Sequence, residues 1–205
     1  ISNRIIYLAG GPTATTLSLE RQNNLTFPAI SVCNLNHYRR DVSDSIHPEL
    51  GRTLRNAFYT EESECNYIVH DLVERANLSN LTLSYLTDVS RDPIESFIEA
   101  CFFSGRRCSY KDFEPISTDT GYCYTFNIQE PFKSSTSTGV RAGLYLALNI
   151  NQSQYVSSTN FDAGVKVVIH TQMEPPRPED TGIGVAPGTN AFLGVWQKNI
   201  IDNTQ

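Results

Sequence analysis

Apolar and polar side chains alternate in three stretches of the second half of the chain, residues 122–128, 144–150 and 165–170. A period of two over four or more residues is typical of strands with one face in the interior. Residues 27–36 carry apolar side chains on both faces instead, which predicts a strand that is buried on both sides. The chain therefore contains at least four predicted strands.

The region between these strands shows a helical spacing. Leu50, Leu54 and Phe58 lie four residues apart, and such a stripe predicts one face of a helix. Residues 68–76 give a second stripe of the same kind. Residues 78–86 give a third, although the alternation within this stretch also fits a strand.

A fourth helix is predicted from Asp92 onward. Asp92 suits the N-cap position, Pro93 suits the first helical position, and Glu95 suits the third helical position, N3. The apolar residues behind this start are spaced for one helical face: Ile94, Phe97, Ile98 and Cys101.

These elements divide the chain into three zones. Residues 1–45 are predicted to be extended chain, residues 46–105 helical and residues 106–205 rich in strands. The predicted fold class is α+β, with a mixed sheet and an inserted helical region. A length of 205 residues without an internal repeat fits a single domain or one large piece of it.

The composition excludes two classes of protein. Hydrophobic residues make up 40% of the chain and charged residues 19%, which is too apolar for a disordered chain. The net charge of −6 argues against a nucleic-acid-binding protein, which needs excess basic charge. No apolar stretch approaches the roughly 20 residues that span a bilayer, so any membrane segment is expected outside this chain.

The sequence contains no recognisable catalytic or metal-binding pattern. There is no nucleophile elbow, and the four histidines show no metal-binding spacing. Residues 182–188 are rich in glycine but lack the lysine of a phosphate-binding loop, and they are predicted to form turns before a strand. The sequence therefore predicts neither an enzyme nor a bound cofactor or metal.

Four glycosylation sequons favour an extracellular location. Asn24, Asn77, Asn80 and Asn151 each begin an Asn-x-Ser/Thr triplet without proline in the middle. Five cysteines are an odd number, which in an extracellular chain leaves one without a partner.

Five segments, taken in order, resemble the degenerin/epithelial sodium channel family, including its acid-sensing and peptide-gated branches. NLTFPAISVCNLN resembles the signature that comes after the first membrane helix of the family, and GYCYTFN resembles a second signature. The segments are residues 24–36, 101–108, 121–127, 143–155 and 163–188.

The resemblance implies a subunit of a trimeric, sodium-permeable, amiloride-sensitive channel in the cell membrane. The chain is expected to be the first half of the extracellular domain, beginning after the first membrane helix and ending before the cysteine-rich thumb. Residues 1–45 and 106–205 would then belong to the wrist, palm and β-ball, and residues 46–105 to the finger. The expected partners are identical or related subunits and an extracellular peptide; pore, sodium and amiloride sites lie elsewhere.

The resemblance also implies how the cysteines pair. Cys33 and Cys123 match the bridge between the two signatures, and Cys101 and Cys108 match a short-loop bridge. Buried free thiols are the alternative. Cys65 has no matched partner and is expected to be free or bonded outside the chain.

Two departures from the family pattern argue against gating by protons. Acid-sensing members carry an aspartate where Met173 stands here, while Glu174 is kept, so fewer carboxylates crowd together. They also carry a histidine where Thr13 stands here, and threonine does not titrate. The hypothesis is therefore gating by an extracellular peptide rather than by protons, with a constitutive or mechanical gate as further alternatives.

The wrist of the family contains adjacent aromatic residues that relay movement of the thumb to the gate. Tyr7 matches one of them, whereas Leu8 replaces the other. Tyr7 equally fits an amphipathic residue near the lipid headgroups. A different class of protein also remains open, a secreted glycoprotein that binds a partner and forms no pore.

Overall fold

The computed structural model describes residues 24–56, 74, 82–118, 121–156 and 162–196. Within these ranges the strands are β1 (Leu25–Thr26), β2 (Ala29–Asn34), β3 (Ile98–Phe103), β4 (Arg106–Cys108), β5 (Phe113–Thr118), β6 (Gly121–Phe126), β7 (Ser134–Ser135), β8 (Leu144–Leu148), β9 (Val165–His170) and β10 (Ile183–Val185). The α-helices are α1 (Arg40–Ile46), α2 (Pro48–Asn56), α3 (Leu83–Val89), α4 (Ile94–Phe97) and α5 (Pro178–Thr181).

The strands form one large and two small sheets. The large sheet has the order β10-β9-β2-β6-β5, the second sheet has the order β4-β3-β8, and β1 pairs with β7. Every pairing between described strands is antiparallel. With its helices, this arrangement confirms the predicted α+β class.

Strand β2 lies at the centre of the large sheet, and it is buried on both faces, as its sequence predicts. Its residues from Ala29 to Cys33 are buried, because β6 and β9 flank it and both of its faces are covered. The predicted strands at residues 122–128, 144–150 and 165–170 are also confirmed as β6, β8 and β9.

The main apolar core is formed by residues of the five-stranded sheet and of the three-stranded sheet. Phe126 is fully buried, and its ring lies 5.4 Å from that of Phe103 and 5.3 Å from that of Phe113. Its truncation to alanine would cost about 3–5 kcal/mol on the usual scale for buried aromatic residues. The buried members of this core are Ile30, Val32, Phe97, Ile98, Cys101, Phe113, Tyr124, Phe126 and Val165.

A second, smaller core involves the helices. Leu50 and Leu54 of α2 pack with Leu86 of α3 and with Val156. The helical stripe through Leu50 and Leu54 is therefore confirmed, whereas Phe58 and residues 68–76, apart from a helical position at residue 74, lie outside the described residues.

Residues 83–89 are helical and not a strand, so the ambiguity of the third stripe is resolved. The side chain of Thr82 caps this helix by accepting a 3.1 Å hydrogen bond from the backbone N–H of Tyr85. Leu86 is buried, but Tyr85, predicted on the same face, is 51% exposed.

The fourth helix is present but much shorter than predicted. Helix α4 is one turn long and begins after Pro93, and the chain becomes strand β3 at Ile98. Strand β3 pairs with both β4 and β8, and these long-range pairings override a helical spacing that covers only two turns. The helical zone therefore ends earlier than predicted, and α1 begins it earlier, at Arg40.

Residues 183–185 form an edge strand in place of the predicted turns. Strand β10 pairs with β9, and a Cβ on Gly164 would lie 2.2 Å from the carbonyl oxygen of Val185. Only glycine permits this approach, and its φ of +144° also favours glycine. Gly164 thus permits the close approach of the chain before β9 to the end of β10.

Candidate functional site

A buried polar cluster joins the end of β2 to the helices and to β9. We call it the polar junction; it consists of Asn34, Asn36, Asp92, Tyr124 and Tyr155. At its centre, Nδ2 of Asn34 donates to Oδ2 of Asp92 at 2.6 Å and to the carbonyl oxygen of Ile150 at 3.0 Å. One amide group therefore ties together the central strand, the segment between α3 and α4, and the segment that follows β8.

The side-chain oxygen of Asn34 also takes part in hydrogen bonds. Its Oδ1 accepts from the backbone N–H of Asn36 at 3.1 Å and contacts the hydroxyl of Tyr155. The Tyr155 hydroxyl also lies 3.1 Å from the carbonyl oxygen of Gly164, and its single proton serves one of these two acceptors at a time. The junction thus extends to the start of β9.

Asn36 extends the junction to the segment around Tyr155. Its Nδ2 donates to the carbonyl oxygen of Gln154 at 3.2 Å, and its Oδ1 accepts from the N–H of Val156 at 3.2 Å. Asn36 is buried, so both ends of its side chain are paired inside the protein.

Asp92 is the buried carboxyl group of the junction, with 8% of its surface exposed. Burial raises the pKa of Asp92, while the hydrogen bond from Asn34 and the charge of Arg39 oppose this rise. The backbone carbonyl of Asp92 also accepts from the hydroxyl of Tyr124 on β6. Asp92 is therefore held from two sides, through its side chain and through its backbone.

Burial also affects the two tyrosines. It raises the pKa of Tyr124 to about 12 and that of Tyr155 to about 12, so both hydroxyls keep their protons at neutral pH. Their role in the junction is hydrogen bonding and not acid–base chemistry.

A small pocket opens beside the junction and contains His37. Burial lowers the pKa of His37, the negative charge of Glu179 opposes this effect, and the positive charge of Lys166 adds to it. Lys166 and Glu179 form an ion pair with each other. The residues lining the pocket are Asn34, Asn36, His37, Thr87, Arg91, Asp92, Phe97, Tyr122 and Tyr124.

Two residues that line this pocket, Arg91 and Tyr122, contact each other. The guanidinium carbon of Arg91 lies 5.5 Å from the ring centre of Tyr122, a cation–π contact. The hydroxyl of Tyr122 donates to Asp88 at 2.9 Å, so β6 is tied to the end of α3. The arrangement fits a mechanical connection between the helices and the large sheet.

Both implied disulfides are present. Cys33 and Cys123 lie directly opposite each other on β2 and β6 and are bonded across 90 residues of sequence. Cys101 and Cys108 close the turn between β3 and β4 across seven residues. Cys33 immediately precedes Asn34, so the first bridge lies next to the polar junction.

The remaining candidates are not brought together. Met173 is 89% exposed in the turn after β9, and Glu174 beside it makes no side-chain hydrogen bond or ion pair with any described residue. Asn24 is exposed, and Asn151 accepts a 3.0 Å hydrogen bond from the hydroxyl of Ser153 in its own sequon. The other candidates lie outside the described residues: Tyr7, Thr13, Cys65, Asn77 and Asn80.

The polar junction has no direct signal in the sequence. Asn34, Asn36 and Tyr155 lie in segments that carry the family resemblance, but the resemblance assigns them no role. The local pattern favours Asp92 as a helix cap, whereas its side chain binds Asn34.

Neither a metal-binding cluster nor a membrane-spanning helix is observed in the described part of the chain. Its histidines, cysteines and carboxylates include no group of three that could hold a metal ion. Its helices include none that is long and apolar enough to cross a membrane.

Comparison with known proteins identifies the family. The sequence model of the family described as amiloride-sensitive sodium channels matches residues 1–205, and the chain therefore belongs to this family. It is a family of ion channels and not of enzymes, and the resemblance noted from the motifs is confirmed.

Curated relatives include several acid-sensing ion channels. Acid-sensing ion channel 1 of Gallus gallus is 33% identical over 220 residues, covering 98% of this chain and 42% of the relative. Acid-sensing ion channel 2 of Danio rerio is 31% identical over 219 residues, covering 97% and 41%. The human acid-sensing ion channel 2 is 29% identical over 224 residues, covering 97% and 43%. The chain thus spans about two-fifths of the length of these relatives.

Proposed function

We propose that this chain is part of the extracellular domain of a channel subunit in the cell membrane. The channel conducts sodium, is blocked by amiloride and assembles as a trimer of identical or related subunits. The observation that carries this proposal is the family match over the whole chain, residues 1–205. The relatives are named as acid-sensing ion channels and are more than twice as long, so the pore is assigned to the remainder of the protein.

In this proposal helices α1 to α4 belong to the finger, and the sheets belong to the palm and β-ball. The boundary between them is placed near Ile98, where helix α4 gives way to strand β3. The position of β3 between β4 and β8 supports this boundary, since these pairings make it part of a sheet.

The polar junction couples the two parts. Asp92 lies between helices α3 and α4, whereas Asn34 ends the central strand of the large sheet. A ligand or force that moves the helices would therefore make or break the bond between Asn34 and Asp92. Such a bond biases an equilibrium between two conformations only if its strength differs between them.

The activating stimulus is an extracellular peptide rather than protons. Met173 replaces an aspartate of acid-sensing members, and Thr13 replaces a histidine, so two groups able to bind protons are missing.

The extracellular location implies glycosylation. Asn24, Asn77, Asn80 and Asn151 are the proposed acceptors. The exposed side chain of Asn24 supports modification at that position, since the transferred sugar needs access to the amide nitrogen.

Voltage clamp of the full-length subunit in oocytes tests the proposed function. Acid pulses and a panel of short extracellular peptides are applied, each with and without amiloride. We expect a peptide-evoked sodium current that amiloride blocks, and little response to acid. Oocytes injected with water provide the control for endogenous currents.

The possible outcomes separate the parts of the proposal. A large acid-evoked current would contradict the stimulus while supporting the channel. Surface expression without current under any stimulus, alone or with related subunits, would contradict the channel function itself.

A further inference from the structure

The outward face of the sheet β4-β3-β8 carries an exposed aromatic pair. Phe102 is 41% exposed and Tyr145 is 54% exposed, and the two residues lie opposite each other on β3 and β8. Their ring centres are 6.2 Å apart. The inward side chains of the same strands, such as Cys101 and Leu146, face the main core, so these two rings point away from it.

Arginine continues this row on the third strand. Arg107 is paired with Phe102 across β4 and β3, so Arg107, Phe102 and Tyr145 form one row across the three strands. We call this row the outer row. At a strand spacing of about 4.8 Å it is roughly 10 Å long, which matches about three residues of an extended peptide.

Smaller side chains flank the outer row. Ala100 and Ala147 are paired in the next row on the same face, because side chains two residues apart share a face. The two aromatic rings therefore project above the neighbouring alanine row. This difference in height leaves space on the sheet where an aromatic side chain of a partner could pack.

Positive charge is concentrated at one end of this sheet, where Arg107 shares the outward face and Arg106, paired with Phe103, lies on the opposite face. Arg106, Arg107 and Arg141 are exposed and make no ion pair with any residue of the described ranges. Ser104 in the β3–β4 turn donates from its N–H to the carbonyl of Gly143 at 3.1 Å, which places Arg141 at the same end. Glu99 is the exposed acid at the far end of β3.

We propose that the outer row is a docking site for an acidic extracellular peptide segment that carries an aromatic side chain. Its ring packs on Phe102 and Tyr145, and a carboxylate within one or two residues of that ring pairs with Arg107. Arginines without an ion pair in a chain of net charge −6 are complementary to a negatively charged partner and not to a basic one. Exposed aromatic residues beside arginine are typical of protein interfaces.

This proposal concerns binding and is independent of the pore. A failure to bind would leave the channel function in place, and a failure of the channel would leave the docking surface in place. The measurement is therefore made by direct binding and not by current.

The probe is a fluorescein-labelled peptide, Gly-Asp-Trp-Glu-Gly, titrated with the purified full-length protein and followed by fluorescence anisotropy. Matched peptides replace the tryptophan by alanine or both acids by lysine. We expect a dissociation constant on the order of 100 μM, because the contact is small. We also expect weaker binding as the salt concentration rises, because the ion pair is exposed.

Variants assign the binding to the outer row. Arg107→Glu and the double variant Phe102→Ser with Tyr145→Ser should each weaken binding by about fivefold or more. The matched controls are Arg177→Glu and Tyr85→Ser, which alter an exposed arginine and an exposed tyrosine elsewhere. Melting temperatures show that each variant is folded.

Several results would overturn the proposal. They are equal binding of the lysine peptide, binding that the outer-row variants do not change, and no binding up to millimolar concentration. If the protein self-associates and Arg107→Glu abolishes this self-association, then the occupant of the outer row is a second copy of the protein and not a peptide. Binding to anionic lipid vesicles, but not to the acidic peptide, would assign the surface to a membrane.

Discussion

Asn34 donates a 2.6 Å hydrogen bond to Asp92, and the two residues lie 58 positions apart in the sequence. Asn34 ends the most central strand, whereas Asp92 lies between two short helices. A direct side-chain bond at this point means that the helices cannot shift relative to the sheet without breaking it. The partly buried position makes the bond stronger than it would be in water, and its loss more costly.

Replacement of Asn34 by alanine should destabilise the protein strongly. It removes the donor to Asp92 and Ile150 and the acceptor for Asn36, so several buried groups lose their partners. We expect a loss of about 2–4 kcal/mol in the free energy of unfolding, on the scale of about 1–3 kcal/mol per unsatisfied group. The melting temperature of the full-length protein measures the effect. Asn190→Ala, at an exposed position, is the control and should change it little.

Replacement of Asp92 should depend on the residue that takes its place. Asparagine keeps an oxygen that can accept from Nδ2 of Asn34, whereas alanine leaves that donor unpaired. Because burial raises the pKa of Asp92, its ionised form weakens the fold at neutral pH, and Asp92→Asn removes this cost. We expect Asp92→Asn to melt at or above the wild-type temperature at neutral pH, and Asp92→Ala to melt below it.

The pH dependence of the Asp92 comparison has a definite sign. The advantage of asparagine should shrink as the pH falls through the raised pKa, which lies above the ordinary value of 3.8, because the carboxyl group becomes neutral there. Equal damage by both substitutions at neutral pH would mean that the negative charge itself is needed, with Arg39 as its counter-ion.

Protonation of His37 should destabilise the fold in acid. Burial lowers its pKa below 6.5, so between the lowered pKa and 6.5 the unfolded chain binds more protons than the folded one. The contribution of neutral His37 is therefore fully present above about pH 6.5 and is lost as the pH falls. His37→Gln should flatten the fall in melting temperature that occurs as the pH is lowered below about 6.5.

A comparison variant tests whether this effect belongs to His37. His47→Gln shows what the loss of a histidine at another position does to the same curve. If wild type and His37→Gln lose melting temperature in parallel, the acid sensitivity lies in other groups.

The two disulfides should contribute unequally to stability. In the chain-entropy model the Cys33–Cys123 loop is worth about 4.5 kcal/mol, and the short Cys101–Cys108 loop about 2.5 kcal/mol. Paired serine variants, Cys33→Ser with Cys123→Ser and Cys101→Ser with Cys108→Ser, are compared by melting temperature and by surface expression. A larger loss for the short loop would mean that local packing around β3 outweighs the constraint on the unfolded chain.

Introducing two titratable groups should make the proposed channel more sensitive to acid. The double variant Thr13→His with Met173→Asp places a histidine and a carboxylate where acid-sensing members carry them. We expect an acid-evoked current, measured by voltage clamp, that is larger than in the wild type. The matched variant Thr13→Gln with Met173→Asn adds polarity without titration. An equal effect of both double variants would show that protonation at these positions is not the cause.

The strands are predictable because their signal is local. A period of two identifies β6, β8 and β9, and burial on both faces identifies β2 without knowledge of its neighbours. The short helix α4 shows the limit of such reasoning. Its first residues resemble a strong helix start, but pairing with β4 and β8 makes the chain a strand from Ile98 onward.

The polar junction is not predictable because its bonds span distant parts of the chain. Asn34 meets Asp92 and Tyr155 only after both sheets and the helices have assembled. Asparagine, aspartate and tyrosine at such separations show no periodicity that distinguishes them from surface residues. The disulfides, by contrast, are expected from motifs that resemble the family, even though one of them is equally long-range.

The pairing of Cys33 with Cys123 has a consequence for biosynthesis. The two residues are directly opposed in the antiparallel pairing of β2 and β6. A slip by one residue would turn one thiol to the other face of the sheet, where the bond could not close. Formation of this bond therefore records that the central strand has found its correct neighbour.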